Sequence, residues 1–218
     1  MATHHRFLQG NLNRCAGAQD LFLQSMLQWS VDVSVVAEPY FVPSQPNWVG
    51  DTGGSVAIVA STGAGSMPLS VRDRELSFVS AAWGGILVFG VYFSPNRPLS
   101  EFEVFLDRLR TAVGRASSGS VVVLGDFNAK HTSWGSPATD GRGEAVETWA
   151  AQCGLVVLNR GSTNTCVRGQ GGSIVDLTFA SPALASRVSD WRVVEDHRCH
   201  PARSRVVGLP EMVPLAPQ

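Results

Sequence analysis

"VVVLGDFNAKHTSWG", residues 121–135, opens as an apolar strand and turns polar at its end. Asp and Asn are turn formers, so Asp126 and Asn128 could mark nothing more than a strand stopping at a turn. The same pattern also suits a rigid strand that delivers an acid and an amide to chemistry at its C-terminal end. The choice depends on what the other strands carry.

Working outward, "RFLQGN" (6–11) reads as a strand and "AQDLFLQSMLQWS" (18–30) as a helix, with Leu21, Leu23, Met26, Leu27 and Trp29 mostly on one face. "VDVSVVAEPY" (31–40) is a strand halted at Pro39, which completes a β-α-β unit. Three strands follow, "SVAIVAS", "LSFVSAA" and "ILVFGVYF", separated by turns such as "TGAGSMP". "PLSEFEVFLDRLRTAVGRA" predicts a helix capped by Ser100, with Phe102, Phe105, Leu106, Leu109 and Val113 facing the core. After residues 121–126 come a loop, a helix through "GEAVETWAAQCG" stopping at Gly154, and short strands in "LVVLN", "NTCVR", "SIVDLTFAS" and "RVSDWRVVE". Strand, helix, strand and strand thus occur twice in succession. The expected fold is an α/β sandwich, two sheets face to face with helices outside.

The chain has 218 residues, enough for one domain with a substantial core. Residues 1–209 are expected to form it, with the Pro-rich 210–218 as a tail or linker. Hydrophobic content of 44% against 16% charged residues indicates a packed globule, without an apolar run of membrane-spanning length or a leader-like start. No membrane partner is expected, and an intracellular setting is. Cys15, Cys153, Cys166 and Cys199 lack zinc-site spacing and are read as reduced thiols. The net charge of −1 excludes bulk electrostatic binding of nucleic acid, so any such contact is local. Lys130 is the only lysine among 17 basic residues, and Arg forks onto phosphate as Lys cannot, though coding bias accounts for this equally.

Several strands end on a polar residue: Asn11, Glu38, Tyr92, Asp126 with Asn128, Asp176, and Asp196 with His197. Singly, Asn11 is a turn residue, Glu38 a solvated strand end and Tyr92 a core aromatic. Asp176, between Ile174, Val175, Leu177 and Phe179, must be paired or lie at the mouth of a site. As a set they suit phosphodiester cleavage. Glu38, Asn11 and Asp196 offer the hard oxygens that Mg²⁺ prefers, with Mn²⁺ a possible substitute. Asp126 could take a proton from water that Asn128 orients, and Tyr92 could donate to a phosphate oxygen. His197, held by Asp176, would carry positive charge to the transition state.

"QGNLNR", "AEPY", "VYFSP", "GDFNAK", "IVDLTF" and "EDHR" resemble, in this order, the motifs of the Mg²⁺-dependent endonuclease/exonuclease/phosphatase superfamily. The likeness runs over roughly residues 6–207. "NAK", the following "WG", and "GRG" before a helix resemble the apurinic-type endonuclease domain of non-LTR retrotransposons, the R1- and jockey-like branch. This resemblance implies a DNase I-like four-layer sandwich of two mixed β-sheets flanked by helices. It implies an enzyme that nicks one strand of double-stranded DNA and leaves a 3′-hydroxyl to prime reverse transcription. The partner would be a reverse transcriptase domain in a longer polyprotein, acting in the nucleus. The roles above carry over to the same residues, and the resemblance adds Thr165 on the substrate side. Arg14, Lys130, His131, Trp134 and Arg168 are the DNA-facing candidates, Trp134 either stacking on a base or packing over its own strand. The alternatives are an abasic-site repair endonuclease and a degenerate copy that binds DNA without cutting it.

The last motif departs from the pattern. Glu195 stands where relatives carry Ser, the segment after "WRV" is short, and "RCHPARSRVVGL" places Pro201 and three arginines before Val206. Either the loop is shortened and a strand resumes at Arg205, or the region has decayed, with His200 as a fallback for His197.

Overall fold

The computed structural model describes residues 5–63, 65–116, 119–168, 171–194, 206–207 and 211–212, with backbone alone at 167–168, 206–207 and 211–212. The first half contains β1 (His5–Asn11), α1 (Ala16–Gln28), β2 (Val33–Ala37), β3 (Trp48–Gly50), β4 (Val56–Ala60), β5 (Ser70–Glu75), β6 (Phe78–Trp83) and β7 (Ile86–Tyr92). Then come α2 (Leu99–Gly114), β8 (Val121–Asp126), α3 (Gly141–Gln152), β9 (Val156–Val157), β10 (Cys166–Arg168), β11 (Gly171–Ser173) and β12 (Asp176–Ala180). The last elements are α4 (Pro182–Ala185), β13 (Val193–Val194), β14 (Val206–Val207) and β15 (Glu211–Met212).

Two mixed sheets result. One runs β13-β14-β1-β2-β4-β3, with β15 also on β1, and the other runs β5-β6-β7-β8-β12-β9. Each is organised on one parallel pair, β1–β2 and β7–β8, joined by the crossover helices α1 and α2. The Val-rich strands are buried on both faces, and the period of two sorts their side chains between two cores. Val122 and Leu124 of β8 meet Val33, Val35 and Ile58 of the other sheet, while Val121 and Val123 pack with Phe102, Leu109 and Trp149 beneath α2 and α3. A third core joins α1, through Ala18, Phe22 and Met26, to the far side of the first sheet. The layers are therefore α1, sheet, sheet, then α2 with α3, the DNase I-like four-layer sandwich expected.

Local expectations needed adjustment. The core face of α1 is Ala18, Phe22, Ser25 and Met26, a spacing of four, three and one, and Leu27 is left exposed. Ser100 lies inside α2, whose cap position is Pro98, where a fixed φ of −69° leads into the helix without a side-chain cap. Asp140 starts α3 two residues earlier than expected, because its carboxylate accepts the Gly143 N–H at 2.8 Å. A strand does resume after Arg205, since β14 pairs antiparallel with β1 and β13. Glu211–Met212 pairs with His5 and Arg6, so chain beyond residue 209 also touches the sheet.

Candidate active site

The parallel pairs point β1, β2, β7 and β8 so that their C-terminal ends share one end of the sandwich, and β12 begins there. Registers place Asn11 opposite Ala37, Tyr92 opposite Asp126, and Asp126 opposite Asp176. Among the described residues, Asn11, Tyr92, Asp126 and Asp176 are thereby delivered to a common mouth.

Asn11 joins the two sheets. Its Nδ2 donates to Glu38 Oε2 and to Asp126 Oδ2, each at 3.0 Å, and its Oδ1 accepts the Asn13 N–H at 2.8 Å. Asp126 is buried, and its Oδ1 accepts the Asn128 N–H at 2.9 Å. Asn128 in turn donates its Nδ2 to the Phe93 carbonyl at 3.1 Å. Glu38 and Asn128 both take left-handed backbone, with φ of 46° and 48°. Asn tolerates that region, whereas for Glu it is strain, held by Glu38 N–H to Ser55 O and Arg14 N–H to Glu38 O, both 2.8 Å.

Negative charge is concentrated here. Burial pushes the Tyr92 phenol far above its ordinary value, and the Glu38 carboxylate, as charge and hydrogen-bond partner, and the Asp126 charge push it further. Tyr92 therefore stays a proton donor. Asp176, 3% exposed, is raised well above the usual carboxylate range by burial first and then by the charge of Asp126, with Thr165 opposing. The Glu38 and Asp126 carboxylates, joined by the Asn11 amide, put hard oxygens at this mouth, the chemistry a divalent ion such as Mg²⁺ requires. Among the described residues no group of three or more His, Cys, Asp or Glu is gathered. Asp196 and His197, expected to complete the set, lie outside the described residues, as does His200.

The DNA-facing candidates divide. Arg14 is exposed beside Glu38, and Lys130 is exposed at a cleft of about 480 Å³ lined by Pro95, Asn128, Arg142, Gly172 and Val175 among others. Of the two readings of Trp134, the structure has the packed one: it is 2% exposed and lies edge-on against Phe179 in the core beneath α3. His131 serves its own loop, its Nδ1 accepting the Ser133 N–H at 3.0 Å and its ring against Trp134. Thr165 is buried, and its Oγ1 accepts the N–H groups of Val175 and Asp176 at 3.0 and 3.1 Å. For Arg168 the backbone lies in β10, opposite Gly171.

Two residues that hold the site were not singled out from sequence. Buried Asn159 donates to the Asp176 carbonyl at 2.9 Å and accepts from Thr178 N–H at 2.8 Å, locking the strand that carries Asp176. "LVVLN" ends on a polar residue like the other strands, and that was its signal. Arg142, inside "GRG", donates from α3 to the carbonyls of Ser94 at 3.2 Å, Pro95 at 3.3 Å and Arg97, with its guanidinium over Phe93 and Phe102. It fixes the segment next to the carbonyl that holds Asn128.

Known proteins agree with this architecture. The chain is 29% identical over 175 residues to a probable RNA-directed DNA polymerase from transposon BS of Drosophila melanogaster, covering 76% of this chain but 19% of that protein. The endonuclease domain of TRAS1, a telomere-specific non-LTR retrotransposon, superposes with a TM-score of 0.77 at 23% identity, covering 95% of this chain and 99% of that one. An AP endonuclease from Archaeoglobus fulgidus superposes with a TM-score of 0.75 at 14% identity, covering 97% and 100%. At these identities the two structures establish the shared fold. Residues 86–200, over half of the chain, match the family model described as endonuclease-reverse transcriptase. The chain belongs to that family.

Proposed function

We propose that this chain is the nicking endonuclease of a non-LTR retrotransposon, cutting one strand of double-stranded nuclear DNA to leave a 3′-hydroxyl. A reverse transcriptase in a longer polyprotein would extend that end. The observation that carries the reading is the Asn11 amide, which ties Glu38 of one sheet and Asp126 of the other into one oxygen-rich mouth. Family membership and the likeness to the TRAS1 endonuclease domain support it.

Glu38 and Asn11, with Asp196 as the expected third ligand, would hold Mg²⁺, for which Mn²⁺ would substitute. When bound, the ion supplies Lewis-acid stabilisation of phosphate charge. Asp126 accepts the proton of the attacking water. Asn128 has its amide N–H committed to Phe93, which leaves its carbonyl oxygen to orient that water. Tyr92, kept protonated, donates to a phosphate oxygen. A cation beside Asp176 reverses the push on that acid, which is the place His197 would fill.

The end chemistry tests this reading. Supercoiled plasmid is nicked with Mg²⁺ and given directly to a DNA polymerase; extension without end repair is the expected result. Nicks that need phosphatase treatment before extension contradict it. An abasic duplex cut far faster than intact DNA would assign the chain to repair instead.

A further inference from the structure

The loop after Glu38 carries two large rings that the catalytic reading does not use. Tyr40 is 62% exposed and Phe41 61% exposed, and among the described residues neither pairs with another aromatic ring. Their backbone, by contrast, is tightly fixed. Gln19 of α1 is buried and grips Phe41 twice, its Nε2 donating to the Phe41 carbonyl at 2.9 Å and its Oε1 accepting the Phe41 N–H at 3.2 Å. Buried Pro39 fixes the step before Tyr40, and the Arg14 N–H to Glu38 carbonyl bond fastens this loop to the turn after β1. A buried amide is thus used to hold two apolar side chains out in water, beside an exposed cation. Rings presented on a fixed backbone lose little further freedom when they bind. Three residues span at most about 10 Å, so both rings begin within that reach of Glu38.

We propose that Tyr40 and Phe41 form a stacking platform for a DNA base within a few nucleotides of the cut, with Arg14 on a neighbouring phosphate. The proposal rests on the reading of this chain as a DNA-cutting enzyme and says how it grips the strand. Every base has a π-face, so the platform supplies affinity for an unstacked base and no sequence code. Arg14 adds an electrostatic contact, which is salt-dependent where stacking is not.

The test is the anisotropy of fluorescein-labelled DNA with Ca²⁺ in place of Mg²⁺, for the full chain and the variants Tyr40→Ala, Phe41→Ala, Phe41→Leu, Phe41→Trp and Arg14→Ala. Each ring-to-Ala variant is expected to bind about five-fold or more weakly, with the salt dependence unchanged. Phe41→Trp retains binding and Phe41→Leu does not. Arg14→Ala lowers the slope of log affinity against log salt by about one. In nicking assays the ring variants raise KM and leave kcat in place. Ring variants that bind and cut like wild type overturn the platform while leaving the nuclease reading intact, and Phe41→Leu matching wild type overturns stacking in favour of plain apolar contact. Wild-type protein that neither binds nor cuts DNA overturns both. Should an alanine variant fail to fold, the Leu and Trp pair still decides.

Discussion

Asn11 gives both protons of one amide to carboxylates from different sheets, so its removal leaves Glu38 and Asp126 facing each other without a shared donor. Asn11→Ala is expected to lower nicking by about 10–100-fold and to raise the Mg²⁺ concentration needed for half-maximal rate, read from a metal titration. Thr165→Ala strips two buried N–H groups of their acceptor, and urea denaturation should show a loss of about 1–3 kcal/mol that Thr165→Ser largely restores. Burial pushes the Cys153 thiol up to about 11, opposed in part by Arg110, so mass-mapped alkylation at pH 8 should label exposed Cys15 well before Cys153. The strand-end residues stood out in sequence only as a set, because any one apolar run can stop on Asn, Glu or Tyr for structural reasons while several doing so in order point to one shared mouth. Trp134, His131 and Thr165 were not legible, because each lies in a loop or short strand whose burial is set by packing against β12 and α3, distant in sequence.

The doubly buried strands, such as β2, β4, β7 and β8, were the plainest to read, and the short β9, β10 and β13 were found within longer stretches. β5 (SVRDRE) was missed because it is an exposed edge strand, and its charges guard that edge where apolar alternation would announce a strand. β3 is only three residues long and gives too little pattern to read. The β7–β8 pairing also explains why the motif opens with glycine: Gly125 has φ of 151°, and a Cβ there would run into the Val91 backbone. Gly125→Ala should therefore cost at least about 2 kcal/mol, measured by thermal or urea unfolding. Arg142 binds α3 to the β7–α2 loop through a planar fork reaching three carbonyls. Arg142→Ala should lower kcat while leaving DNA affinity within about two-fold, and Arg142→Lys should fail to rescue it, since a single ammonium cannot reproduce that fork.

Two parallel pairs, one per sheet, aim their C-terminal ends at the same place, and the four-layer sandwich is what makes those ends neighbours. Sequence order implied the layers, because each strand-helix-strand crossover covers one outer face. It could not give the register that sets Tyr92 and Asp176 on either side of Asp126, since that depends on β12 pairing across the chain with β8. The account's central claim is that one catalytic mouth is assembled from both sheets. Single-turnover nicking of supercoiled plasmid in Mg²⁺ by wild type, Glu38→Ala and Asp126→Ala tests it most directly. The expected result is efficient conversion to open circles by wild type and loss by about 100-fold or more in each variant, although they lie in different sheets. Equal nicking by all three proteins, or by either variant and wild type, would contradict it.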